Sequence, residues 1–108
     1  MIPHTKQQTE DRALYSGLIR LHILCHAVHE PVYGLGMIEE LARHRYKLSP
    51  GTLYPLLHGL ERKGYLRSRV VRDAQRARRL YRATGRGRQA LREAREKVRE
   101  LLGDLFGE

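Results

Sequence analysis

The sequence predicts a mainly α-helical domain of three helices, a two-stranded hairpin and a long closing helix. Three observations carry that reading. Apolar residues recur at helical spacing in three segments between residues 11 and 63, with tight breaks between them. Between 65 and 83, Val, Leu and Tyr gather in two short β-prone runs. After Thr84 an apolar seam with spacings of three and four continues to Leu105. At 108 residues the chain suits one domain with a small core. A chain of this size often gains buried area by dimerising.

The first ten residues are polar and contain Pro3, and they read as a mobile tail over 1–10. The first helix is expected from Asp11. Leu14, Leu18, Leu21, Cys25 and Val28 recur at spacings of four, three, four and three, and Ile19, Ile23 and Leu24 widen the apolar surface. A helix this apolar is expected to be covered on one side by its own domain and on another by a partner. "HEP" at 29–31 ends it, because the residue before a proline avoids helical backbone. A second helix is expected over 33–44, with Leu35, Ile38, Leu41 and Ala42 as its stripe. Gly34 and Gly36 suggest close approach of another backbone there. The short "RYKL" link requires the next helix to cross steeply.

The third helix has the clearest punctuation. Ser49 is expected to cap it with its hydroxyl, Pro50 takes the first helical position, and Gly64 stops it. Leu53, Leu56, Leu57 and Leu60 supply the buried stripe. Pro55 deletes one hydrogen bond and is expected to bend or tighten the helix. Strands are expected over 65–72 and 78–83, joined by a polar, flexible tip at 73–77. Alone, "AQRARRLYRA" also suits a helix. Thr84 caps the closing helix, whose seam is Leu91, Ala94, Val98, Leu101 and Leu105, while Gly85 and Gly87 weaken its first turn. Together the elements make a winged helix-turn-helix over 11–83 and a C-terminal dimerisation helix over 84–108.

Twenty-one Lys and Arg against twelve Asp and Glu give a net charge of +9 and a pI near 10.3. Such an excess favours polyanions, nucleic acid before anionic membrane. No apolar run approaches the roughly 18 residues of a membrane span. "MIPHTKQQTEDR" lacks the apolar core of a signal peptide, and the single Cys25 cannot form an internal disulfide. A soluble, cytoplasmic protein is expected.

The outer side of the third helix carries Thr52, Tyr54, Pro55, His58, Gly59 and Arg62. Ser49, Thr52 and Tyr54 can donate to phosphate oxygens, and a helix N-terminus itself favours an anion. Lys47, just ahead of the helix, joins this DNA-contact set. His58 and Arg62 can reach base edges. The alternative is that Ser49 only caps and Tyr54 only packs. Residues 67–82 hold seven arginines against one acid, Asp73. Arginines at a hairpin tip suit phosphate or a narrow minor groove, and Arg76, Arg78 and Arg79 are the expected contacts. The plainer reading is a solvated hairpin. The partner that follows is double-stranded DNA, read by a two-fold dimer on a near-palindromic site, with its recognition helices roughly 34–36 Å apart.

His22, His26 and His29 share one face of the first helix, with Cys25 adjacent. Imidazoles at i and i+4 can share zinc or copper. No carboxylate or CxxC completes a ligand set in that segment, so the reading favours a polar stripe, and no metal or cofactor is expected. No Ser/His/Asp set, phosphate-binding glycine loop or paired catalytic carboxylates point to an enzyme. An adaptor that reuses the fold without DNA is disfavoured by the basic wing. An RNA binder would show stacking aromatics, and the hairpin offers only Tyr81 and Tyr65.

The sequence also resembles the PadR-like transcriptional regulators from about Gly17 to Leu91. "LSPGTLYPLLHGLERKGYLRS", 48–68, is close to that family's third helix and first wing strand. "EPVYGLGMIEEL", 30–41, is similar to its second-helix opening, with Tyr33-Gly34-Leu35 where His-Gly-Tyr is usual. "RRLYRATGRGRQAL", 78–91, matches the return strand and the Thr that starts the last helix. The carboxyl end matches only in pattern, and a single closing helix places the chain with the shorter members. The resemblance implies a dimeric winged-helix repressor. It also leaves open a small-molecule effector. Some members bind aromatic compounds between the dimer's helices, and certain members build that pocket with a Trp on the last helix, which this chain lacks.

Overall fold

The computed structural model describes residues 6–107, with side chains from residue 12 onward. The order is α1 (Lys6–His29), α2 (Gly34–Arg43), α3 (Pro50–Arg62), β1 (Leu66–Asp73), β2 (Arg76–Ala83) and α4 (Gly85–Phe106). The architecture is the expected one. α1 begins at Lys6 rather than Asp11, so 6–10 have helical backbone. No glycine or proline stands between Pro3 and Gly17 to interrupt it. Residues 1–5 lie outside the described residues.

One core joins the three helices to the hairpin. α1 contributes Ile19, Ile23, Leu24 and Ala27, α2 contributes Met37 and Leu41, and α3 contributes Leu53, Leu57 and Leu60. Leu48, Leu66, Tyr81 and Ala83 complete it. The Leu14–Leu18–Leu21–Cys25 stripe is therefore not the core face of α1. At about 100° per residue it lies roughly half a turn away from Ile19 and Ile23, and Leu14 is 73 % exposed. α1 is apolar on two sides, and periodicity alone does not tell which side meets its own domain. α2 needs a similar correction. Leu35 and Ala42 face solvent, while Gly34, Met37 and Leu41 face inward. What approaches Gly34 is a side chain and not another backbone: a Cβ there would meet the Tyr54 phenol, which would have to shift.

α2 and α3 end alike. Tyr46 N–H donates to Leu41 O (2.9 Å) and Arg45 N–H to Ala42 O (3.0 Å). Tyr65 N–H donates to Leu60 O (3.0 Å) and Gly64 N–H to Glu61 O (2.9 Å). Both are Schellman closures, which need a left-handed residue. Gly64 serves at φ 84°, as its position suggested, but Arg45 serves at φ 70° with no sequence signal for it. α3 continues through Pro55 as one helix. Its cap differs from expectation. The Ser49 carbonyl accepts from Thr52 N–H and Leu53 N–H (3.0 and 2.9 Å), but its hydroxyl makes no capping bond and lies 3.4 Å from Thr52 Oγ1.

β1 and β2 pair antiparallel from Leu66↔Ala83 to Asp73↔Arg76. The connection is thus only Ala74 and Gln75, shorter than the expected 73–77, and Ala74 takes φ 40° to close it. Val32 exchanges two backbone bonds with Tyr81 (2.8 and 2.7 Å), which stitches the α1–α2 link onto the base of the wing. Tyr81 is fully buried, so it is a core residue and offers no stacking platform. Thr84 accepts from Gly87 N–H (3.0 Å) as expected and starts α4. Gly87 is buried against the Tyr65 carbonyl, where no Cβ fits. α4 packs on α1. No helix of the described residues is long and apolar enough to cross a membrane.

Candidate nucleic-acid interface

Burying Leu53, Leu57 and Leu60 fixes which side of α3 is open. Ser49, Tyr54, Pro55, His58 and Arg62 are exposed there, as is Lys47 ahead of the helix, and Thr52 is half-buried. Tyr54 has two surfaces. Its ring lies over Gly34 and near His58 (centroids 6.3 Å apart), yet the residue stays 39 % exposed. The open face thus presents hydroxyls at the helix N-terminus and cations toward its end. A terminus of that polarity favours an anion.

Strand alternation divides the wing arginines. Residues paired across an antiparallel ladder share a face. Ser68, Val70 and Arg72 therefore lie with Tyr81, Arg79 and Ala77, while Arg67, Arg69 and Val71 lie with Arg82, Leu80 and Arg78. The first face is tied to α3. The Glu61 carboxylate accepts from Ser68 N–H (2.9 Å) and from Ser68 Oγ (2.8 and 3.0 Å), and Arg79 Nη1 donates to Ser68 Oγ (3.1 Å). On the second face Arg78 pairs with Asp73 (2.8 Å) and lies over the Tyr33 ring, 4.8 Å from its centroid. The Asp73 hydrogen bond and charge hold the Arg78 guanidinium in its charged form, raising its pKa. Arg67, Arg69 and Arg82 border one surface depression with Ser68. The three expected arginines are thus dispersed: Arg79 on the α3 side, Arg78 on the other face, Arg76 at the turn.

Sequence reasoning passed over Glu61 and Ser68. A signal existed, the single acid of α3, in its last turn, with a serine seven residues on. It also passed over Arg67, Arg69, Arg72 and Arg82 as individuals, since their division follows only from the register.

Away from this surface, Leu91, Ala94 and Val98 are half-buried along α4. With Leu21 and Leu102 they line an apolar groove between α1 and α4. Leu101 and Leu105 at the end of the seam are exposed, the latter at 65 %, and so are Leu14 and Leu18 on α1. Of the histidines, His22 and His26 come together, but their companion is His44 at the end of α2 and not His29.

Residues 23–93 match the model of the transcriptional regulator PadR-like family. The chain is 48 % identical over 96 residues to the transcriptional regulator Rv3488 of Mycobacterium tuberculosis, covering 89 % of this chain and 90 % of that protein. The crystal structure of a PadR family transcriptional regulator from Eggerthella lenta superposes with a TM-score of 0.79 at 29 % identity, over 92 % of this chain and 88 % of that one. A PadR-like regulator of Bacillus cereus gives a TM-score of 0.74 over 89 % of this chain and 98 % of that one, and its 23 % identity speaks for the fold alone. The family model spans most of the chain and a relative approaches one-half identity, so the protein belongs to the PadR-like family of transcriptional regulators.

Proposed function

We propose that the protein is a sequence-specific, homodimeric DNA-binding repressor that occludes a near-palindromic operator. The observation that carries this is the coupling of an open α3 face to an arginine-rich wing through Glu61 and Ser68. In this reading 11–83 form the DNA-binding domain, and α3 lies in the major groove. Lys47, Ser49, Thr52 and Tyr54 hold phosphates, and His58 and Arg62 meet base edges. Arg76 and Arg79 grip the flanking backbone, with Arg78 as support. α4 from Leu91 to Leu105 packs against the Leu14–Leu18 side of a second copy, because an apolar surface of that size on two adjoining helices is poorly suited to water. Sequencing duplexes selected by the purified protein from a random pool tests the reading. An enriched inverted repeat, bound by two chains with affinity falling steeply in salt, is the expected result. Failure to retain any duplex at low salt rejects it in favour of a winged helix that contacts proteins alone.

A further inference from the structure

Four ligand-type side chains meet where α1 packs on the end of α2. His22 and His26 stand one turn apart on α1. Glu40 and His44 stand one turn apart on α2 and its C-cap. The nitrogens that His22, His26 and His44 offer all lie within 4.8 Å of one another. Glu40 Oε1 is 3.6 Å from His26 Nε2 and 3.8 Å from His44 Nε2. We propose that His22, His26 and His44, with Glu40 as the fourth donor, form a binding site for a borderline divalent cation of the zinc type that bridges α1 to α2.

The chemistry fits that class. Zinc takes imidazole nitrogens at about 2.0–2.1 Å and carboxylate oxygens at about 2.0–2.2 Å, so tetrahedral donors stand roughly 3.3–3.5 Å apart. The Glu40 separations, 3.6 and 3.8 Å, are already close to this, and the three imidazole donors lie within 4.8 Å of one another. Three neutral nitrogens and one carboxylate select zinc, copper, nickel or cobalt over magnesium and calcium, which prefer all-oxygen shells. The surrounding groups orient the donors. Arg43 Nη1 holds Glu40 Oε2 at 3.0 Å, which leaves Oε1 toward the histidines. The His22 ring stacks on His44 (centroids 4.5 Å apart) and meets the Tyr46 ring at 5.5 Å. An imidazole–carboxylate ion-pair cluster is the competing account, and metal titration separates the two.

The site does not depend on the DNA reading and is measured without DNA. The full chain, stripped with a chelator, is titrated with Zn²⁺ by calorimetry and with Co²⁺ by visible absorption. One equivalent per chain is expected, with cobalt d–d bands of nitrogen ligation. His44→Ala is the cleanest variant because His44 is exposed. It should weaken Zn²⁺ binding at least about tenfold and abolish the cobalt bands. Glu40→Gln should weaken binding without abolishing it. His29→Ala should bind as the parent does, since His29 lies outside the group. Thermal unfolding in chelator checks that each variant is folded. Overturning results are no saturable Zn²⁺ binding by the parent, unchanged affinity in folded His44→Ala, or equal losses in His29→Ala and His44→Ala.

Discussion

The division of the wing arginines makes a quantitative test of the DNA reading. Each phosphate that a protein neutralises adds about 0.9 to the slope of log affinity against log salt. At about 0.1 M salt, one logarithmic unit below 1 M, one such contact corresponds to roughly eightfold in affinity. Arg76 is exposed at the turn and has no side-chain bond among the described residues, so Arg76→Ala should remove one full contact. Arg79 holds only the neutral Ser68 hydroxyl at 3.1 Å. A phosphate makes the stronger, charge-assisted bond, so Arg79→Ala should also cost one contact. Arg78 is different: Asp73 neutralises it at 2.8 Å and Tyr33 holds it in place. Arg78→Ala should change the slope by well under half of the single-contact value. The double variant Arg76→Ala/Arg79→Ala should lower the slope by about 1.8 and the affinity by about 60-fold near 0.1 M salt. Fluorescence anisotropy on a labelled duplex at several salt concentrations reads both quantities. A slope loss in Arg78→Ala equal to that in Arg76→Ala refutes the pairing argument, and unchanged slopes in all three remove the wing from the DNA.

Gly87→Ala should destabilise the fold by about 1–3 kcal/mol, because the methyl meets the Tyr65 carbonyl, and this outweighs the roughly 1 kcal/mol that alanine gains in an open helix. Urea unfolding decides, and a stabilised variant contradicts the close approach. Leu105→Glu places a charge on a residue that is 65 % exposed in one chain, so the helical content should hold while sedimentation shows a monomer. A dimer of unchanged affinity excludes that end of α4 from the interface. Burial, followed by the charges of His44 and His26, lowers the His22 pKa, so the unfolded chain takes up a proton in a range where the folded chain does not. Stability should therefore fall as pH drops through about 6.5. Glu40 opposes the effect, and metal-free His22→Gln should flatten the profile between about pH 7.5 and 5.5.

The parts legible in the sequence are those whose signals are local. α3 was bounded by Pro50 and Gly64, and Thr84 does cap α4 through its side chain. The parts missed depend on pairings distant in sequence. The Val32–Tyr81 bridge joins residues that share no period, and it removes Tyr81 from the surface. Arg45 closes α2 at φ 70°, a conformation that glycine ordinarily supplies, so no residue type in the sequence marks that turn. The orientation of α1 was ambiguous because the helix is apolar on two sides. The candidate site was legible as a set of residue types. Its geometry was not, since a one-residue change of register would exchange the faces on which Arg78 and Arg79 lie. Likewise His22 and His26 were visible as a pair, but His44 lies on another helix and leaves no trace in the spacing along α1.

Glu61 is the residue by which charge and geometry can be told apart. An acid beside a nucleic-acid surface opposes binding by simple Coulomb repulsion, so deleting it should tighten the complex if charge alone governs. The structure gives the opposite expectation. The Glu61 carboxylate accepts from both the backbone and the hydroxyl of Ser68, and Ser68 in turn receives Arg79. Removing it frees β1 from the last turn of α3 and leaves the Ser68 hydroxyl, which receives Arg79, without the acceptor that orients it. Glu61→Ala should therefore bind duplex more weakly, despite one more unit of net positive charge, and with a smaller salt slope because Arg79 no longer registers with its phosphate. Ser68→Ala, which leaves the charge untouched, should move affinity the same way, and Glu61→Gln should recover part of the loss by keeping one acceptor. Tighter binding by Glu61→Ala at an unchanged slope would mean that the wing is positioned by the strand ladder alone, with the carboxylate only a tolerated negative charge.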